Sequence, residues 1–323
     1  MKNAKQMLAN MMRRNAFDAL ARKAALESHL AMPAEWRKPD GGPLLVVDVS
    51  PVSYISAFRG SRKTEGKTDQ AVSVEILSSV RAFIMEIVRD VKPSACVLAF
   101  DSPVPTYRAS LTEGYKAGRA KAKAAERDQE KTRVNKARLN ALDHLAATAG
   151  IWGWNVMRAE GYEADDLIAA FVHGLRVAPA SGLLNNRRRI MVASNDSDLC
   201  QLLAFPAVDI LDVAKRRYVT EKSFTDAKGY APHLVPLVKA IGGDTSDDIS
   251  GLKGVGDAYA VAYVTGGEIT DRVRALIEDG ADTVVDCYGL TALPFAGFSL
   301  KGQAFNGALD PFAGDVGEDD MPF

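Results

Sequence analysis

Asp48 closes the apolar run Leu44-Leu45-Val46-Val47, and Asp101 follows Ala95-Cys96-Val97-Leu98-Ala99-Phe100. Asp196 and Asp198 come just after Ile190-Met191-Val192-Ala193. Glu163, Asp165 and Asp166 open a helical stretch behind a weaker apolar segment, Trp152 to Val156. Asp244 and Asp247 stand further on, in Gly242-Gly243-Asp244-Thr245-Ser246-Asp247. A single Asp after a strand is ordinarily a turn or cap residue, and acids in a first helical turn are favoured by the helix dipole alone. Nine carboxylates delivered to one edge of a sheet are different, because they repel one another unless cations neutralise them. Oxygen-only ligation with no neighbouring His or Cys selects Mg²⁺ or Mn²⁺. Two such ions suit a phosphodiester, since they stabilise its attacking and leaving oxygens, so hydrolytic phosphoryl transfer is the expected chemistry.

The carboxylates meet only if the segments that carry them end on one side. The short apolar runs read as buried strands, separated by helical patterns at Val72 to Val91, Ala137 to Ala149 and Ala164 to Leu175. That alternation predicts an α/β fold with a mostly parallel central sheet covered by helices. In such a sheet the C-terminal strand ends share one edge, where ligands bind. From Ala231 the strand signal fades into short, Gly-punctuated helices, which marks a second module. Residues 1–30 read as an amphipathic helix acting as a packing arm, and Met32 to Gly42, with Pro33 and Pro39, as a linker. The stretch Gly267 to Ala296 carries no assignment.

Composition narrows the partners. With 323 residues, 47% hydrophobic and 25% charged, the chain has a globular make-up. No run of 18 uncharged apolar residues exists to span a membrane. The 40 bases and 41 acids leave a net charge of −1, so nucleic acid would be held through a local patch. Cys96, Cys200 and Cys287 are widely separated, which fits a reduced compartment and no zinc site. His144, His173 and His233 are isolated and read as structural or surface residues. The local patch is the stretch from Arg108 to Arg138, with ten bases against four acids and with Tyr107 and Tyr115 near its start. Bases for phosphates and aromatics for stacking are the pattern of single-strand channels. Gly251-Leu252-Lys253-Gly254-Val255-Gly256, ahead of a helical pattern, offers backbone N–H groups to a phosphate.

Four blocks in order resemble the 5′-nuclease family of phage 5′→3′ exonucleases, polymerase I 5′-nuclease domains and flap endonucleases. Val46-Val47-Asp48 is similar to the family's first strand and ligand. Phe100-Asp101 with Tyr107-Arg108 and Tyr115-Lys116-Ala117-Gly118-Arg119 is similar to its second ligand and the start of a helical arch. Tyr162-Glu163-Ala164-Asp165-Asp166 and Asp196-Ser197-Asp198 resemble its acidic blocks. Gly243-Asp244-Thr245-Ser246-Asp247-Asp248-Ile249 running into Gly254-Val255-Gly256 resembles its last ligands and helix–three-turn–helix module. The likeness covers about Leu44 to Tyr263. It departs at Val49-Ser50-Pro51, where the family has a Gly-Ser-Asn type continuation, and at Asp257-Ala258-Tyr259, where it often has a Lys.

The resemblance implies a PIN-like 5′-nuclease core at 41–228, preceded by a helical extension and linker at 1–40 and including an arch at about 104–150. A helix–three-turn–helix module at 229–297 would follow. By composition, Gly-rich after Gly297 and with five acids and no base in the last 14 residues, 298–323 reads as a flexible acidic tail. Asp48, Asp101, Glu163, Asp165 and Asp166 would hold or support one Mg²⁺ or Mn²⁺, and Asp196, Asp198, Asp244 and Asp247 a second. Lys116 and Arg119 would steady the scissile phosphate, and Tyr115 would stack on the terminal nucleotide. Tyr107, Arg108, Lys121 and Lys123 would contact the 5′ strand. The turn Gly254-Val255-Gly256 would grip duplex phosphates, with K⁺ on its carbonyls. DNA with 5′ ends or flaps, and RNA primers, would be substrates, in the cytoplasm of a bacterial or phage-infected cell.

The C-terminal Glu318-Asp319-Asp320-Met321-Pro322-Phe323 separately resembles the acidic tip of bacterial single-stranded DNA-binding proteins. That likeness implies docking of Asp319, Asp320, Pro322 and Phe323 on replication proteins. Two other readings stand beside the nuclease: a PIN-like ribonuclease, which needs neither the glycine turn nor Asp244 and Asp247, and a non-catalytic DNA-structure binder.

Overall fold

The computed structural model describes residues 2–12, 42–58, 64–104, 106–108, 116, 128–176, 188–294 and 298. Its six strands are β1 (Leu44–Asp48), β2 (Ala95–Ala99), β3 (Trp154–Met157), β4 (Ile190–Ala193), β5 (Val208–Asp212) and β6 (Arg217–Val219). They form one sheet in the order β3-β2-β1-β4-β5-β6. The first five run parallel and β6 pairs antiparallel with β5. The apolar runs become the central strands because a parallel strand covered on both faces must be apolar throughout. Leu44, Val46, Val97, Ile190 and Val192 enter one core cluster, while Leu45, Val47, Cys96, Leu98, Met191 and Ala193 enter another on the opposite face.

Three helices cover the second face: α2 (Val49–Phe58), α3 (Asp69–Val91) and α4 (Gln129–Thr148). The side chain of Thr68 caps α3 by accepting from the Ala71 amide, and Asp128 caps α4 through the Lys131 amide. The other face is covered by α5 (Ala164–Arg176) and by a 3₁₀ turn over Asp198–Ala204. After α6 (Glu221–Lys228), a third core gathers α7 (Val235–Gly242), α8 (Asp257–Thr265), α9 (Asp271–Asp279) and α10 (Ala281–Thr291). The N-terminal α1 (Lys2–Met11) belongs to this third core, burying Ala4, Leu8 and Met11 there. No helix among the described residues is long and apolar enough to cross a membrane.

The α/β expectation holds, with four differences of detail. Strands β5 and β6 and helix α2 carry no expectation from the sequence. Helix α4 lies inside the stretch expected as arch, yet it buries Val134, Ala137, Ala141, Leu142 and Leu145 against the sheet layer. That apolar spacing outweighs its surface bases, and the arch reading is left with residues before 128. Helices α9 and α10 both lie within Gly267 to Ala296, the stretch unassigned in sequence. Phe298, placed in the acidic tail by composition, is 4% exposed and packs on Tyr162 at 4.7 Å between ring centres.

Candidate active site

The strand order reverses between β1 and β4: β2 and β3 extend to one side and β5 to the other. A crevice opens at such a switch point, outside the C-terminal strand ends. Asp48 is the last residue of β1, level with Ala99 of β2, and its neighbour Val47 is level with Ala193 of β4. Asp101, Glu163, Asp165 and Asp196 follow their strands into the same place. Together with Asp48 and Lys116 they line a cleft of about 370 Å³.

Short hydroxyl contacts fix the first two acids. The Ser194 hydroxyl donates to Asp48 Oδ2 at 2.8 Å, and the Ser50 hydroxyl donates to Asp101 Oδ2 at 2.5 Å. The other Asp101 oxygen accepts from the Ala164 amide at 2.9 Å, which ties β2 to the start of α5. Burial, reinforced by Asp101, pushes the Asp48 carboxyl well above the usual range, against the hydrogen bond from Ser194. Burial and then Asp165 raise Glu163, against the pull of Lys116 and Arg108. The same two causes raise Asp196, against the Asp198 amide and Lys239.

Lys116 stands on the acidic wall. Its Nζ is 2.7 Å from Glu163 and 3.8 Å from Asp247, and its amide donates to the Asp247 carbonyl at 3.1 Å. Glu163, Asp165 and Asp166 each offer a carboxylate oxygen within 4.8 Å of the others. Arg108 closes that trio from inside, 1% exposed, with its guanidinium on Asp166 and 3.5 Å from Asp165. Its expected place among the DNA-facing bases is therefore corrected: the acids draw it into the interior. Tyr107, next to it, is exposed and sets its ring edge on Tyr162 at 5.2 Å.

Asp198 and Asp244 meet at Lys239, a residue that the sequence reading missed. The Lys239 ammonium pairs with Asp198 and lies 2.6 Å from Asp244. Burial, then Asp196, pushes Asp198 up to about 7, against Lys239. Burial also works against the charge on Lys239, but Asp198 and Asp244 outweigh it and hold its pKa high. Burial would raise Asp244, yet hydrogen bonds from Lys239 and Ser246 hold it low. In sequence, a lone Lys in the last turn of α7 looks like an ordinary partner of the helix dipole. Ser50 and Ser194 gave no signal either, since only the fold brings them to the acids.

The glycine turn precedes α8, with Gly256 at its N-cap. Val255, expected to contact DNA, is 3% exposed and anchors the turn in the third core, so only its backbone is left for a ligand. Tyr115, Arg119, Lys121, Lys123, Asp319, Asp320, Pro322 and Phe323 lie outside the described residues.

The cleft's donor set fits a hard divalent cation: its acids supply oxygen only, none of the described residues lining it is a His or Cys, and burial and mutual repulsion raise several of the acids. Residues 43–229 match the family described as 5′-3′ exonuclease, N-terminal resolvase-like domain. The chain belongs to this 5′-3′ exonuclease family. Within it, the chain is 29% identical over 208 residues to a 5′-3′ exonuclease of Bacillus subtilis, covering 64% of this chain and 63% of that one. It is 25% identical over 240 residues to DNA polymerase I of Mycobacterium leprae, covering 72% of this chain and 24% of the polymerase. The chain thus spans about a quarter of that polymerase and less than two thirds of the Bacillus exonuclease. Its fold is shared with the 5′-exonuclease of bacteriophage T5, solved with divalent metal ions (zinc) bound. That comparison gives a TM-score of 0.63 at 17% identity, over 78% of this chain and 90% of the phage protein.

Proposed function

We propose that this chain hydrolyses DNA phosphodiesters from 5′ ends or at 5′ flaps, using two Mg²⁺ or Mn²⁺ ions. The observation that carries the reading is the cleft at the switch point, where Asp48, Asp101, Glu163, Asp165 and Asp196 face Lys116. Asp48, Asp101, Glu163 and Asp165, with Asp166 behind them, would hold one ion; Asp196, Asp198, Asp244 and Asp247 would hold or support the other. When bound, such ions supply an acidified water and neutralise charge on the phosphate. The chain's own groups do the rest. Ser50 and Ser194 hold the Asp101 and Asp48 carboxylates in orientation. Lys116 presents an ammonium to the cleft, where it offsets charge growing on the scissile phosphate.

By family likeness, Arg119 assists Lys116, Tyr115 stacks on the terminal base, and Tyr107, Lys121 and Lys123 follow the 5′ strand. The backbone of Gly254, Val255 and Gly256, with K⁺, grips the duplex behind the cleavage point. RNA primers are further substrates, and the setting is replication or repair in the cytoplasm of a bacterial or phage-infected cell. Asp319, Asp320, Pro322 and Phe323 dock on replication proteins; pull-down with and without the last six residues tests this, and equal recovery of those proteins would sink it.

The nuclease reading is tested with a 5′-labelled flap duplex in Mg²⁺, using the wild type, Asp165→Asn and an EDTA control. The wild type releases the flap, and both EDTA and Asp165→Asn abolish release. Tight flap binding by the wild type with no cleavage in Mg²⁺ or Mn²⁺ would overturn the reading in favour of a binding protein.

A further inference from the structure

Asp198 and Asp244 reach Lys239 from different parts of the molecule. Asp198 opens the 3₁₀ turn behind β4, Asp244 sits after α7 at the entrance to the glycine turn, and Lys239 is in the last turn of α7. The ammonium bonds to both carboxylates and comes within 3.2 Å of the Ser197 hydroxyl. All three charged groups are largely withdrawn from water, at 19% exposure for Lys239, 8% for Asp198 and 9% for Asp244. Asp196 adds another negative charge, its Oδ1 accepting from the Asp198 amide at 2.9 Å.

A divalent cation held by Asp198 and Asp244 would compete with the ammonium for them, since Lys239 takes Asp198 Oδ1 and Asp244 Oδ2 while Ser246 takes the other Asp244 oxygen. A single positive charge leaves two of these three acids uncompensated, whereas a divalent ion would leave only one. Lysine is a compact charge on a flexible four-carbon stem, so it can leave without disturbing the helix that carries it. It has somewhere to go: Lys239 also lines a groove of about 690 Å³, beside Lys228 and Tyr230.

We propose that Lys239 is a built-in counter-cation, which bridges Asp198 and Asp244 and must be displaced when a divalent ion takes those two carboxylates. The inference rests on the two-ion reading of the site. Its consequence is ordered filling. The ion held on the Asp48 side binds first and tightly, and the ion on the Asp198 side binds more weakly because it competes with a lysine already in place.

Mn²⁺ binding to the full chain, followed by electron paramagnetic resonance at one fixed pH, tests this without any cleavage. The wild type takes up two ions, the second more weakly. Lys239→Met tightens the second by roughly tenfold, the order expected for removing one like charge from a partly buried site. Lys239→Arg keeps it weak, and Asp244→Asn loses it. Should Lys239→Met fail to fold without metal, the wild type supplies a second measurement. Acylation of Lys239 by acetic anhydride, read by peptide mass, rises as Mn²⁺ fills the second site. Unchanged acylation, or a second ion bound no more tightly by folded Lys239→Met, would overturn the inference while leaving the nuclease reading intact. A wild type that binds no Mn²⁺ at all would overturn both.

Discussion

Arg108 and Asp166 are sealed together, each 1% exposed, with the guanidinium of one on the carboxylate of the other. Asp165 and Glu163 stand 3.5 and 3.7 Å from the same guanidinium. Removing one partner of a buried pair leaves a charge without water or counter-charge, which costs about 3–5 kcal/mol. Arg108→Met is therefore expected to destabilise the chain by that order in urea denaturation at neutral pH. Arg108→Met with Asp166→Leu recovers part of the loss, because one of the stranded acids is gone. A single variant as stable as the wild type would show that the acids are neutralised some other way.

Lys116 tests the chemistry rather than the fold. It is partly exposed and stands over the cleft, 2.7 Å from Glu163. If its ammonium acts on charge that grows in the transition state, Lys116→Ala lowers kcat by roughly 10²–10³-fold and changes KM little. Steady-state cleavage of the flap duplex measures both. A rise in KM with kcat unchanged would make Lys116 a binding residue only.

The legible part of the site was its strand-end chemistry. Asp48, Asp101 and Asp196 follow apolar runs that can only be central strands, so their convergence follows from the rule for parallel sheets. What stayed hidden depends on who packs against whom. Val208–Asp212 and Arg217–Val219 mix apolar and charged residues towards the edge of the sheet, too short and irregular to read as strands. The helical pattern from Ala137 was legible, but the bases ahead of it masked its first turns, where Val134 joins Ala137 and Ala141 at a spacing of three and four residues to bury one face of α4. Arg108 and Lys239 illustrate the same limit. A base near many acids in sequence can face DNA or the acids themselves, and only the fold decides between them.

His173 gives the chain an acid-sensitive element away from the cleft. It is fully buried on α5, ring against Phe205 at 4.6 Å, and burial pushes its pKa from an ordinary 6.5 down to about 3. The unfolded chain therefore binds a proton that the folded chain refuses throughout that interval. Stability contributed by the neutral ring is complete above about pH 6.5 and drains away as pH falls towards 3, by up to about 1.4 kcal/mol per unit. Chemical denaturation of the wild type and of His173→Gln across this window checks the sign. The variant is expected to lose less stability on acidification, and parallel curves would remove His173 as a cause.

Gly251 holds the entrance of the turn module closed. Its φ is +59°, and a Cβ there would lie 2.7 Å from the Gly242 carbonyl carbon, against the backbone that leads into Asp244. The next amide, that of Leu252, donates to the Ile241 carbonyl at 2.9 Å, so the turn cannot shift without breaking that bond. Gly266 has a similar φ of +74° but nothing within 4 Å of the Cβ position. Gly266→Ala is therefore expected to cost only the backbone preference, about 1 kcal/mol. Gly251→Ala adds a steric clash with main chain and is expected to cost at least about 2–3 kcal/mol. Because the clash falls next to Asp244, Gly251→Ala should also weaken Mn²⁺ binding, whereas Gly266→Ala should not. Thermal denaturation and Mn²⁺ titration of the two variants, side by side, separate strain at the turn from the general cost of replacing a glycine at positive φ.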